Sequence, residues 1–217
     1  MEFSWQFILR WGPFILEGLV LTVKMFALSA FLALMVGTIV AALLRLGIRP
    51  LNALLKIYIS IFRNSPLLVY LFFFFYGLPA IGVYIAPFWC GVLGITLNEG
   101  AFLSEIIRGA IQGIPRGDWE AADSLALSRF QVLRFVVVPQ ALRNAIPAIA
   151  GQLSIVMKDT SLMSLITLAE LTYVGNFIYD CTFDITALFI VAVIYIVLFS
   201  IFNLVTNVVE SRTRIRR

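Results

Sequence analysis

The chain has 217 residues, 61% of them hydrophobic and 13% charged, with a mean hydropathy of +0.99. A soluble domain is about 25% charged, so this is an integral membrane protein, and its continuous apolar runs exclude a β-barrel, whose strands alternate. The net charge of +4 is no nucleic-acid signature, because in a membrane protein the location of charge matters more than its sum. There is no histidine, the commonest metal ligand and general base, and Cys90 and Cys181 lack ligand-like spacing.

Residues 1–13 read as a short amphipathic lead carrying Trp5, Phe7 and Trp11. Without a basic start or a small-residue cleavage site, this lead is no cleavable signal. The first span covers 14–44, with Glu17 and Lys24 seven residues apart on one helix face near its beginning. They either snorkel at the interface or serve function. Arg45, Gly47, Arg49 and Pro50 form a basic turn, and 51–64 is an amphipathic stretch with Lys56 and Arg63 that enters the membrane obliquely. From Asn64 to Asn98 no residue is charged. Gly77, Pro79 and Pro87 interrupt that run, giving a second span that ends around 76–82 and a third over 86–108.

The segment 109–140 cannot lie in lipid. It carries Arg116, Asp118, Glu120, Asp123, Arg129 and Arg134, and one charge at the bilayer centre costs about 2.5–3.5 kcal/mol on insertion scales. Asp118 is placed to N-cap a short helix starting at Trp119, with Glu120 in its first turn. Ser128 and Gln131 fit a capping box opening a second short helix that stops before Pro139. Helices this short need something to dock against, and Trp119, Ala122, Leu125, Phe130 and Leu133 supply an apolar face. The segment is a connector packed on its own membrane domain, a surface for a soluble partner, or both.

Residues 141–168 form the fourth membrane segment, 170–184 a polar connection and 185–209 an uncharged fifth span. Arg212, Arg214, Arg216 and Arg217 close the chain as a topology anchor. About five spans of about 20 residues each leave 45–63, the 108–143 loop and the tail on one side with nearly all the basic residues. The connections near 77–87 and 170–184 hold no Lys or Arg. The positive-inside rule makes the first set cytoplasmic and the N-terminus external.

Glu120-Ala121-Ala122, with Pro139 closing the segment, resembles the EAA loop of ATP-binding-cassette importer permeases. The stretches 62–68, 105–110, 139–144 and 158–162 are similar to the polar amino-acid branch of that family, of the histidine, glutamine, arginine and glutamate type. The resemblance runs from about residue 15 to the end. It implies an all-α permease domain over 1–217, core about 14–211, with a cytoplasmic coupling loop at about 109–140 between the third and fourth of five transmembrane helices. The loop residues Asp118, Trp119, Glu120, Ala121, Ala122, Leu125 and Ala126 are then the ATPase-coupling set. Implied partners are a second permease subunit (identical or homologous), two ATPase subunits that bind ATP and Mg, an external substrate-binding protein, an amino-acid substrate and membrane lipid, all in a bacterial inner membrane and with no nucleic acid. In one respect the chain departs from the family pattern, which usually has Gly where Ala126 stands. Either the first loop helix runs on to Ser128 or the turn uses ordinary backbone angles.

No Walker A motif occurs, so this chain does not bind ATP by that route. No cofactor and no metal are expected in it, and without His no usual nucleophile–base triad forms. It is not an enzyme; energy for uphill transport must come from a partner. The intramembrane polar groups are the candidates for a substrate path: Asn98 and Glu99, with Glu105 nearby, on the third span, and Lys158, Asp159, Thr160 and Ser161 on the fourth. They form either a site offering both signs of charge to an amino acid or a structural Lys158–acid pair. Arg63 and Arg108 lie near the inner ends of their spans in packing roles. The function read here is a permease subunit of an ATP-driven amino-acid importer working by alternating access. Alternatives are an importer of another small polar solute, a channel, or a scaffold anchoring a soluble partner.

Overall fold

The structure, a computed structural model, describes residues 5–213, with side chains for residue 7 and residues 9–211. Arg214, Arg216 and Arg217 lie outside the described residues, as does the side chain of Arg212, so the tail anchor is outside them too. Among the described residues every regular element is helical. The first helix, α1 (Trp5–Leu44), absorbs most of the expected amphipathic lead: Pro13 sits inside it, and Trp11 is buried against the bundle. α2 (Arg49–Asn64) and α3 (Leu67–Phe72) follow, and a π-helical turn and a short 3-10 turn carry the chain on to Ile81. α2 meets the Leu67–Ile81 stretch at a 103° bend, so the second crossing is a broken span. Pro66 makes that break, because the residue before a proline is pushed out of helical geometry; Ser65 is extended, with φ −123° and ψ 146°.

α4 (Pro87–Gln112) is the third span and the most buried one. It runs parallel to α1, because the close approaches climb both helices together: Gly91 meets Met25, Gly100 meets Val36, and Gly37 meets Leu103. Small residues at such crossings let two backbones come close, the main source of helix attraction where lipid is as apolar as Leu. Parallel α1 and α4 require a crossing between them in the opposite sense, which the bent pair supplies.

The charged segment folds as α5 (Arg116–Ser124) and α6 (Arg129–Gln131), and a π-helical turn at Val132–Val137 leads into α7 (Val138–Asp159). The second loop helix therefore does not stop before Pro139. Proline has no N–H to donate and its ring clashes with the preceding turn of an α-helix; a wider π turn just ahead of it accommodates both defects. The 3-10 stretch Thr160–Ile166 ends α7, α8 (Leu171–Thr182) follows, and α9 (Thr186–Thr213) closes the fold. Near the start of α9, Asp184 accepts bonds from the Thr186 hydroxyl and amide, which hold its carboxyl below the usual range.

Among the described residues four helices are long and apolar enough to cross a membrane, at Leu9–Leu44, Pro87–Gln112, Arg129–Ile166 and Thr186–Ser211, and the bent pair, counted as one span, makes five. Three apolar clusters stack along the bundle. One holds Trp11, Ile15, Leu171, Ile178 and Val191 between α1, α8 and α9. The middle one holds Met25, Leu71, Ile95, Val156 and Met163. The third joins the end of α4 to the loop and the start of α7, through Ile114, Ala122, Val132, Val137 and Ala141. α4 therefore meets α7 antiparallel. The outward side of α9 stays bare: Ile196 is 65% exposed and Leu204 68%.

Candidate functional site

Two α-helices bring the intramembrane acids together. Glu99 of α4 is 1% exposed, and its carboxylate accepts a 2.7 Å bond from Nε2 of Gln152 on α7. Asp159 turns its carboxyl toward Glu99 from the last turn of α7. Gln152 and Asp159 are seven residues apart, two helical turns, and so share a face. That spacing is the sequence signal that identifies Gln152, a residue the sequence reading does not single out. Converging acids on two helices attract a cationic group strongly where water is scarce.

Lys158 is not part of this contact. Consecutive helix residues point about 100° apart, and the Lys158 ammonium lies over the Phe199 ring of α9, 4.6 Å from its centroid. Among the described residues Lys158 forms no ion pair, so the structural Lys158–acid lock is absent. Thr160 and Ser161 direct their hydroxyls to the carbonyls of Met157 and Lys158, each at 2.7 Å. Asn98 donates to the Phe62 carbonyl at 2.6 Å and so completes the C-terminal turn of α2. Glu105 receives both Arg108, at 2.6 and 2.8 Å, and Arg63, at 3.7 Å, which ties α2 to α4.

The loop is divided into a buried and an exposed face. α5 starts at Arg116 rather than Trp119; Pro115 is its N-cap, without a side-chain bond, so Asp118 sits inside the first turn and Glu120 in the second. Ala122 is 2% exposed and Trp119 half-buried in the third cluster. Glu120 and Ala121 are exposed. Leu125 is 73% exposed, Phe130 68% and Leu133 38%, so these three do not join the buried face expected for them. Ile114, Val132 and Val137 fill that place instead and turn the other three outward. The capping box forms in full: Gln131 N–H donates to Ser128 Oγ at 3.3 Å and Ser128 N–H to Gln131 Oε1 at 2.8 Å. Ala126 overturns both alternatives for the turn, because it adopts φ +54° and α5 ends at Ser124.

A family model described as the binding-protein-dependent transport system inner membrane component matches residues 8–215. The chain belongs to this family of inner-membrane permeases. The permease is similar to the L-cystine transport system permease protein TcyB of Bacillus subtilis (strain 168), at 37% identity over 203 residues, covering 92% of this chain and 86% of that protein. It is 32% identical over 218 residues to the glutamine transport system permease protein GlnP of Escherichia coli (strain K12), covering 99% and 100%. Among solved structures it is similar to an amino acid ABC transporter crystallised with histidines, with a TM-score of 0.91, 30% identity and coverage of 98% and 100%. An inward-facing MetNI methionine transporter shares the fold, with a TM-score of 0.77 at 19% identity and coverage of 93% and 96%.

The permease also holds a buried acid in the segment read from sequence as a polar connection. Glu170 is 0% exposed and N-caps α8. It accepts bonds from the amides of Thr172 (2.9 Å) and Tyr173 (2.8 Å) and from the Tyr195 hydroxyl (2.8 Å). Thr22 of α1 accepts from the Leu171 amide beside it at 3.1 Å. The signal available in sequence is an acid directly ahead of the α8 pattern, where an N-cap stands.

Proposed function

We propose that this permease is the translocating subunit of an ATP-driven amino-acid importer and works as a pair with a second permease subunit, identical or homologous. Two ATPase subunits, which bind ATP and Mg, dock on the exposed side of α5, and an external substrate-binding protein delivers the amino acid to the opposite face. The basic 45–63 and 109–140 segments are cytoplasmic and the N-terminus is external. The observation that carries the reading is the two-sided α5: Ala122 and Trp119 are rooted in the bundle while Glu120, Ala121 and Leu125 are left bare. A connector packed only for its own sake has no need of that bare face. Relatives that transport glutamine and cystine support an amino-acid substrate.

The coupling route follows from the packing. α5 shares its cluster with Ile111 and Ile114 at the end of α4 and with Val132, Val137 and Ala141 leading into α7. These same helices carry Glu99, Gln152 and Asp159. Displacing α5 shifts α4 against α7 and alters the acid pair between them, giving alternating access by rigid-body rocking. Glu99 and Asp159 take the substrate ammonium. ATP hydrolysis drives the cycle only because docking on α5 differs between inward and outward states; equal docking shifts nothing.

The test is copurification from membranes with candidate ATPase subunits, comparing native protein with Glu120→Arg. Loss of the ATPase from a folded variant supports the reading. Failure of the native chain to hold any ATPase, with or without nucleotide, removes the energy source and the proposal with it.

A further inference from the structure

Beside the loop, a cavity of about 360 Å³ opens between the ends of α1, α4 and α5. That volume falls in the range of small-ligand sites. Arg45, Arg108 and Arg116 line it together with Trp119, over a floor that includes Ala41 and Ile111. The Arg108 guanidinium is already engaged by Glu105 and Gln112. Arg45 and Arg116 form no ion pair among the described residues; Arg45 lies over the Trp119 ring, 5.7 Å from its centroid. Arg116 opens α5, at the positive end of the helix dipole, where a cation is disfavoured. Two exposed guanidiniums without an ion pair face one cavity, one of them against its own helix dipole, and together they favour an anion there.

We propose that this cavity binds the phosphate of an anionic phospholipid headgroup from the cytoplasmic leaflet. Depth favours lipid over a soluble anion. α1 and α4 are parallel spans and both end here, so the cavity lies where headgroups begin, with an apolar floor toward the acyl region. Basic pockets between membrane helices on this side suit such headgroups, and Trp is at home at the same level. The lining favours lipid over an acidic side chain of the ATPase, because Ala41, Ile111 and Trp119 share the cavity with the arginines and make part of its wall apolar.

A second observation extends the site. Beyond Arg108 a further cavity of about 530 Å³ is lined by Asn52, Lys56 and Ser60. Asn52 donates to the Leu44 carbonyl at 3.3 Å, but its Oδ1 is occluded and has no hydrogen-bond partner. Lys56 and Ser60, which line this second cavity, offer partners to the glycerol hydroxyls of phosphatidylglycerol. The lipid would brace α5 against α1 and α4, joining the coupling helix to the membrane surface. The inference rests on the membrane setting of the family and not on which solute is carried.

The test uses the full chain without ATPase, so its failure is separate from failure of the importer reading. Phosphatidylglycerol and phosphatidylcholine are offered in equal amounts, and lipid retained after purification is counted by native mass spectrometry. The native chain keeps phosphatidylglycerol preferentially, and Arg45→Gln and Arg116→Gln each weaken retention about fivefold. Arg45→Lys with Arg116→Lys keeps most of it and controls for folding, together with helical circular dichroism of all variants. Unchanged preference in the doubly Gln-substituted chain overturns the proposal. So does inorganic phosphate displacing the lipid at comparable concentration, which assigns the cavity to a free anion. In a separate copurification with the partner ATPase, loss of the ATPase from the doubly Gln-substituted chain while its lipid retention stays intact also overturns the proposal, in favour of an acidic side chain of the partner.

Discussion

The Leu127 amide donates to the Ala122 carbonyl at 3.3 Å, and the loop this bond closes holds Ala126 at φ +54°. With the Ala126 amide donating to the Asp123 carbonyl at 2.9 Å, the pair forms a Schellman end to α5. That position favours glycine, because a Cβ in the left-handed region costs roughly 1 kcal/mol. Ala126→Gly is therefore expected to stabilise the loop by about 0.5 kcal/mol net, after the greater freedom glycine gives the unfolded chain. Hydrogen exchange of α5 amides reads this locally: slower exchange is expected in the glycine variant. Faster exchange would mean that the turn draws support from the Ala126 methyl group.

Gly37 and Gly109 are expected to answer the same substitution with opposite signs. A Cβ on Gly37 would stand 2.7 Å from Leu103 Cβ and 3.1 Å from the Gly100 carbonyl oxygen, and neither can swing away. Gly37→Ala should destabilise the chain by about 1–3 kcal/mol through overpacking of α1 against α4. Nothing lies within 4 Å of a Cβ on Gly109, so Gly109→Ala should gain up to about 1 kcal/mol of helix propensity. Thermal midpoints of the purified chain decide it. Equal midpoints for the two variants would contradict the tight parallel crossing.

What could be read in advance divides along physical lines. Burial in lipid imposes long uncharged runs, so the five crossings were legible, as was the Ser128–Gln131 box, whose two bonds depend only on local spacing. The helix running through Pro139 was not, because a π turn one step earlier changes which carbonyls need donors. Ala126 misled for a related reason: tertiary anchoring of Ala122 and Val132 enforces a turn that the residue itself resists. Lys158 and Asp159 are adjacent in sequence and read as one polar unit, whereas helical geometry sends them to different neighbours. Glu170 was hidden by composition, since a buried capping acid and a solvated loop acid look alike until the donors around them are placed.

Glu170 and Tyr195 are expected to be energetically coupled. Tyr195→Phe removes one hydroxyl donor at 2.8 Å and should cost about 1 kcal/mol in the native background. Glu170→Gln faces its new NH₂ toward amide and hydroxyl donors and should cost about 2–3 kcal/mol. In that background Tyr195→Phe has much less left to lose, so a double-mutant cycle on thermal stability should return an interaction of about 1 kcal/mol. Simple additivity would show that Tyr195 is held by its 3.1 Å contact with Thr172 rather than by the acid.

The acid pair between α4 and α7 offers the most direct test of the proposed substrate path. If Glu99 and Asp159 receive the ammonium of an amino acid, neutral isosteres remove charge and keep shape. Breaking one side of a buried charge contact costs about 2–5 kcal/mol, so Glu99→Gln and Asp159→Asn should each weaken uptake of labelled amino acid by roughly 30-fold or more. ATPase docking should persist, because Glu120 and the bare side of α5 are untouched. Gln152→Leu separates the alternatives further. It strips Glu99 of its neutral donor at 2.7 Å and leaves the charge in place. A binding role for the acid predicts retained specificity with altered affinity, whereas a purely structural contact predicts lost stability with unchanged affinity in the surviving protein. Uptake in vesicles containing the assembled transporter, measured beside ATP hydrolysis, reads both. Full uptake and specificity in Glu99→Gln and Asp159→Asn together would remove the acid pair from the path.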